Sequence, residues 1–229
     1  MATSVTASRP SGTDQRASEA DAPADGHRRL TADARRRQLF AIALDLFAER
    51  GYSATTMDDI AVAAGVTKPL VYQHFESKRA LYLELLDVVA TDLTENIVTA
   101  TARANGPRQQ VEFGFAGCFA LMVEHESAVR LLYGRDAPDD LELGAALHRV
   151  EATIAEAIDP LIDADLDPDH RRLLAHAVVG MAEGVSRHWL ESQRDRSAST
   201  KEARADEASR LATQVADLAW AGLRQVHRI

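Results

Sequence analysis

Between Thr56 and Lys78 the chain reads Thr-Met-Asp-Asp-Ile-Ala-Val-Ala-Ala-Gly-Val-Thr-Lys-Pro-Leu-Val-Tyr-Gln-His-Phe-Glu-Ser-Lys. Few folds accept such a stretch. The Thr56 hydroxyl can accept a free backbone N–H at a helix start, and Asp58 and Asp59 suit the positive end of that helix's dipole. Ile60, Ala61 and Ala64 then recur on one helical face. Gly65 stands where a left-handed residue would close the helix. Thr67 can cap a second helix, with Pro69 in its first turn, where a missing N–H costs little. Val71 and Phe75 face back toward the first helix, and Ser77 caps a third. A small residue at Ala61, a glycine in the turn and a packing residue at Val71 meet the requirements of a helix-turn-helix, whose second helix enters the major groove of DNA.

The outward side of that second helix offers Thr67, Lys68, Leu70, Tyr72, Gln73 and His74. Lys68 and Lys78 can neutralise phosphates, and Thr67, Tyr72 and His74 can hydrogen-bond them. Gln73 has the donor and acceptor geometry for an adenine edge. A solvated hairpin within a plain bundle is the competing reading. Caps, turn glycine and polar face all agree with the DNA reader, as the signals of a foldable unit should.

Gly51-Tyr52, Thr55-Thr56, Asp59-Ile60-Ala61, Ala64-Gly65-Val66, Tyr72, His74-Phe75 and Ser77-Lys78 together resemble the DNA-binding domain of TetR-family transcription regulators. The resemblance implies an all-α homodimer. An N-terminal three-helix helix-turn-helix domain would be followed by a C-terminal helical ligand-binding and dimerisation bundle. It also implies that Thr56, Thr67, Lys68, Tyr72, His74 and Lys78 contact DNA. Pro69, Leu70 and Gln73 complete the expected interface. Pro69 departs from the glycine that many members carry there, which bears on how closely the backbone approaches a phosphate.

The chain of 229 residues carries a formal net charge of −9, which argues against a protein that coats DNA without regard to sequence. The charge is uneven. Residues 28–90 hold nine Lys/Arg against eight Asp/Glu, whereas residues 91–229 hold fifteen against twenty-three. The reader must therefore work through a local basic edge. One cysteine, Cys118, excludes an internal disulfide and fits a reducing cytoplasm. No signal peptide and no apolar run of the ~20 residues a membrane helix needs are visible.

Three segments are expected: a disordered arm over 1–27, the reader over 28–76, and a ligand-binding and dimerisation body over 77–229. The arm has almost no large apolar residue to bury. Arg28, Arg29, Arg35, Arg36 and Arg37 follow it, either as a solvated helix start or as an arm reaching phosphates or the minor groove. Thr31 caps a first helix to about Arg50, with Gly51 ending it. Phe47, Ile60, Val71 and Phe75 would form the centre of the reader. Ser77 begins a helix to about Ala102, buried along Leu81, Leu85, Val88, Val89, Leu93 and Ile97. Asn105-Gly106-Pro107 breaks the chain.

Val111 to Val123 is apolar nearly all round, so the helix it forms is expected to be buried on every side. It can be a core helix and a pocket wall at once, with Gly114 and Gly117 making room for a ligand. A short helix over 127–134 and a longer one over 139–163 follow. Asp163, Asp165, Asp167 and Asp169 alternate, but Pro168 and Leu174 stand where a calcium loop needs glycine and glutamate. Asp167 capping a helix over 168–191 explains them better. Leu174, Ala177, Val178, Met181, Val185 and Trp189 form its stripe. A polar loop over 192–200 and a last helix over 204–226 complete the chain.

No zinc spacing, Ser-His-Asp set, P-loop or Rossmann fingerprint is present, so neither enzyme nor metal nor cofactor is expected. Thr67–Phe75, Val179–Met181 with Trp189-Leu190, and Ala219–Leu223 are also similar to a subgroup of actinobacterial fatty-acid-synthesis regulators that bind long-chain acyl-CoA. That resemblance implies a small hydrophobic ligand. Phe113, Phe115, Phe119, Met122, Met181 and Trp189 are the pocket candidates, each with ordinary core as the alternative. Arg130 or Arg187 could meet an acidic group, unless each is held in a surface ion pair. The family resemblance further implies a dimer through the last two long helices, at Gly180, Gly184, Leu211, Val215, Leu218 and Trp220, reading an inverted repeat. A regulator of efflux or catabolism genes answering to another apolar ligand remains open, as does a ligand-independent structural DNA-binding protein.

Overall fold

A computed structural model describes residues 31–134, 140–162, 166–194 and 200–226. The expected arm over 1–27, Arg28, Arg29, Asp163, Asp165 and most of the polar loop lie outside the described residues. Within them the chain is all helix: α1 (Ala32–Ala54), α2 (Met57–Ala63), α3 (Lys68–His74), α4 (Lys78–Thr101), α5 (Pro107–Glu124), α6 (Glu126–Tyr133), α7 (Leu141–Ile158), α8 (Pro168–Arg194) and α9 (Lys201–Val226). A 3-10 turn (Asp159–Leu161) follows α7.

The starts of these helices follow from local chemistry. Thr31 accepts from the Ala34 N–H at 3.2 Å, Ser77 from Ala80 at 3.0 Å, and Asp140 from Glu142 at 2.9 Å. Asp167 accepts from His170 at 3.0 Å, so its capping role holds, with Pro168 first in α8. Gly51 breaks α1 with φ of 76°, and a last turn to Ala54 follows the break. Arg35, Arg36 and Arg37 lie within α1. They are therefore part of the reader's first helix and not of a free arm.

Among the described residues one apolar core runs from Leu39 and Phe47 in α1 to Ala219 in α9. Phe47, Ile60, Val71 and Phe75 are buried at the centre of the reader, as their spacing requires. Each such apolar side chain removed from water contributes roughly 1.5–3 kcal/mol. α4 runs 24 residues, roughly 36 Å. It packs on α1 at one end and on α5 and α7 at the other, so it links reader and body.

Three expectations about the body need correction. α5 is not buried on every side: Ala116 and Ala120 are exposed on the flank nearest α9. Gly117 makes room for α4 and not for a ligand, because a Cβ there would meet Ala100 Cβ at 3.1 Å. On α8 the expected stripe also shifts, and Ala177 is exposed.

Candidate nucleic-acid interface and ligand cavity

α2 is locked at both ends by its own sequence. The Asp59 N–H donates to Thr56 Oγ1 at 3.1 Å, and the Thr56 N–H donates back to Asp59 Oδ2 at 2.8 Å. This reciprocal box satisfies two donors that a helix start leaves free. The Thr56 bonds hold the Asp59 carboxyl below its ordinary pKa. At the other end, Gly65 takes φ of 64°, its N–H donates to Val62 O at 3.1 Å, and the Val66 N–H donates to Ala61 O at 2.9 Å. These are the two bonds of a Schellman turn, and they aim the chain into α3.

α3 presents Thr67, Lys68, Pro69, Tyr72 and Gln73 to solvent, with Leu70 and His74 partly covered. Tyr72 is 45% exposed, although it is a large aromatic residue. Thr67 stands at the cap position of α3, but its hydroxyl makes no capping bond. That corrects the capping expectation and leaves the hydroxyl available to a phosphate. Lys68 Nζ donates to Asp58 Oδ2 at 2.8 Å, which holds its ammonium above the ordinary pKa. Both groups are exposed, so a phosphate can compete for that lysine.

Lys78, expected to neutralise a phosphate, is anchored by backbone carbonyls. Its Nζ donates to Tyr52 O at 2.9 Å and to Thr55 O at 3.0 Å, and lies 4.2 Å from the Tyr52 ring centroid. It first ties the start of α4 to the end of α1, and one ammonium proton remains for DNA. Arg36 also turns inward. Its Nη1 donates to His74 O at 2.7 Å, it pairs with Glu84, and it lies 4.4 Å from the Phe75 ring centroid.

Below the reader lies a cavity of about 630 Å³. Its walls come from α1 (Phe40, Leu44), α4 (Val88, Leu93), α5, α6 and, through Ser186, α8. A smaller space of about 70 Å³ on the far side shares Leu93, Cys118 and Tyr133 with it. Burial pushes the Cys118 thiol up to about 12 and raises the Tyr133 hydroxyl as well, so both stay neutral in an apolar chamber.

Of the expected pocket residues, Met122 lines the larger cavity and Phe115 the smaller. Phe119 and Trp189 are buried core, and Phe113 and Met181 are partly buried; these four line neither space. Sequence reasoning missed Phe40, Leu44 and Val88. Val88 carried a signal: it continues an apolar stripe yet is 39% exposed, because the stripe faces the cavity there. Arg130 is held by Glu126 at 2.6 Å and Arg187 pairs with Glu183, so the ion-pair alternative describes both.

The expected dimer positions divide. Gly180 and Gly184 on α8 are exposed, and a Cβ at either would meet nothing within 4 Å. Leu218 on α9 is 66% exposed. Val215 packs inward, and Leu211 and Trp220 are partly buried. Among the described residues, no helix is long and apolar enough to cross a membrane. No cluster of three or more His, Cys, Asp or Glu among them could hold a metal ion.

Comparison with known proteins places this geometry. Residues 39–85 match the family described as bacterial regulatory proteins, tetR family. The chain is 34% identical over 178 residues to the HTH-type transcriptional activator FasR of Mycolicibacterium smegmatis, covering 75% of this chain and 81% of the relative. It is 49% identical over 59 residues to the HTH-type transcriptional repressor KstR2 of Rhodococcus jostii, covering 26% of this chain and 29% of that one. Among solved structures, the transcriptional regulator FadR of Bacillus subtilis in complex with stearoyl-CoA superposes with a TM-score of 0.66. That match has 16% identity and covers 80% of this chain and 96% of the other. The fatty acid degradation regulator FadR of Bacillus halodurans gives 0.67 at 18% identity, over 81% of this chain and 94% of the other.

Proposed function

The chain belongs to the tetR family of bacterial regulatory proteins, and from that premise we propose that it is a dimeric transcription regulator whose operator affinity is set by a small hydrophobic ligand. Transcription regulation itself follows from the family. Three further points make up the reading: the reader's contacts, the dimer and the ligand.

Thr56, Thr67, Lys68, Pro69, Leu70, Tyr72, Gln73 and His74 form the DNA-facing surface, with Lys78 contributing its one remaining proton. Gln73 is the residue most suited to read a base edge, being exposed on the outer side of α3. Residues 28–76 act as the reader and 77–229 as the body. α1 belongs to both, since Phe40 and Leu44 also wall the cavity. Two copies join through the open small-residue face of α8 and through Leu218 of α9. Two readers then address an inverted repeat, about one helical turn of ~34–36 Å or a multiple of it apart.

The observation that carries the ligand reading is the cavity. At about 630 Å³ it lies within the usual range for small-molecule sites, roughly 300–1,000 Å³. Its inner wall is Leu93, Met122, Val129 and Tyr133. A long acyl chain matches that chemistry. Similarity to FasR and the shared fold with a stearoyl-CoA complex support long-chain acyl-CoA as the ligand class.

The DNA part is tested by selecting sites from random double-stranded DNA and measuring anisotropy on the winners and on scrambled DNA. The expected winner is an inverted repeat. Gln73→Ala then loses ~1–3 kcal/mol of discrimination at one base pair in each half. Equal losses on selected and scrambled DNA would remove Gln73 from direct readout. Failure to enrich any sequence would sink the DNA-reader claim.

A further inference from the structure

We propose that Arg36 is the positioning residue through which the cavity acts on the recognition helix. The proposal rests on the reading of the cavity as a ligand site. α3 ends at His74, and the carbonyls of a last turn have no donor within their own helix. Arg36 supplies one from α1, with its Nη1 2.7 Å from His74 O. A cation at that end also suits the helix dipole. The same guanidinium pairs with Glu84 of α4 and stacks on Phe75, so one side chain holds α1, α3 and α4 together.

Arg36 and Glu84 both line the cavity, and so does Phe40, whose ring lies 6.4 Å from the Phe75 ring. No residue of α3 lines it. α2 and its turn are held by local bonds and by core packing of Met57, Ile60 and Ala61, and none of their residues lines the cavity. Lys78 holds the other side of the reader and does not line the cavity either. The cavity wall therefore meets the end of α3 through Arg36 and the Phe40–Phe75 contact. A forked guanidinium satisfies His74 O and Glu84 together in only one spacing of α1 and α4. A chain that enters between those helices changes the spacing, opens the bond to His74 O, and frees the end of α3. An empty cavity keeps α3 docked.

Hydrogen exchange of the peptide covering 68–76 tests this without knowledge of operator or ligand. Ala128→Phe places a ring in the cavity and stands in for a ligand. Arg36→Met keeps the stem but removes the donors. Each single variant should speed exchange at Val71–Phe75 by about tenfold, a sub-global opening. The double variant should be no faster than Arg36→Met, within about twofold, because both changes break one coupling. Arg36→Lys, which can still reach one acceptor, should fall between wild type and Arg36→Met. If Ala128→Phe does not fold by circular dichroism, Ala41→Phe, which lines the cavity from α1, takes its place. Exchange in the cavity-filled variant within about twofold of wild type would overturn the proposal. So would effects of the two changes that multiply in full. Wild type with stearoyl-CoA is measured alongside. If the filled variant loosens α3 through Arg36 and stearoyl-CoA does not, the acyl-CoA reading fails and the coupling stands.

Discussion

The reader and the body differ in where they leave space. In α1 to α3, Leu39, Ala43, Ile60 and Val71 are completely buried, and α2 is closed at each end by bonds to its own neighbours. In the body, α1, α4, α5 and α6 stand apart far enough to leave about 630 Å³ between them, and α8 turns two glycines to solvent. Protein interiors are normally packed as densely as organic crystals. The body departs from this only along the cavity, since Phe119, Met122 and Leu143 are as completely buried as the core of the reader. The close-packed reader meets that space at one place, the end of α3, through Arg36 and the Phe40–Phe75 contact.

The contrast breaks first in core deletions. Phe75→Ala, in the close-packed reader, should cost about 3–5 kcal/mol in urea unfolding. Met122→Ala, beside existing space, should cost about 2 kcal/mol, the lower end of such changes, because fewer partners lose contact. Equal costs would mean that the cavity wall is as tightly packed as the reader.

The open face of α8 gives the next largest effect. Gly180→Arg should weaken self-association by about a hundredfold in sedimentation, as loss of a central contact does. The stability of the separate subunit should stay within about 0.5 kcal/mol, since nothing stands within 4 Å of the new Cβ. An unchanged dimer would remove this face from the interface.

Smallest is the cap. Thr56→Ala should cost about 1 kcal/mol of reader stability. Its pH dependence has a definite sign. The Asp59 carboxyl is held below its ordinary value of 3.8, so its contribution is full above that value and disappears as the pH falls through the lowered one. The difference between wild type and Thr56→Ala should therefore narrow in acid. A difference that widens there would contradict the box.

Most of the reader was legible because its signals are local. Thr56, Gly65, Pro69 and Ser77 each act within a few residues, and the structure puts every one of them at the turn or helix start its chemistry demands. Arg36 was not legible as a clamp, because His74 lies 38 residues away and nothing in the spacing points to it. The cavity was hidden for a related reason. Periodicity puts Val88 on an apolar stripe and Phe119 in an apolar helix, but it does not show that Phe119 is fully buried whereas Val88 stays 39% exposed beside the cavity. The charge of Lys78 is visible in sequence, whereas the carbonyls of Tyr52 and Thr55 that position its ammonium are not.

The central claim is that a guest in the open body changes what the closed reader does. Its most direct test is an anisotropy titration of the selected inverted repeat with stearoyl-CoA present and absent, with scrambled DNA alongside. The account predicts that stearoyl-CoA shifts affinity for the repeat by about tenfold or more, ~1.4 kcal/mol of preference between two reader arrangements, and leaves scrambled DNA nearly unchanged. Saturable stearoyl-CoA binding with the same operator affinity throughout would contradict it.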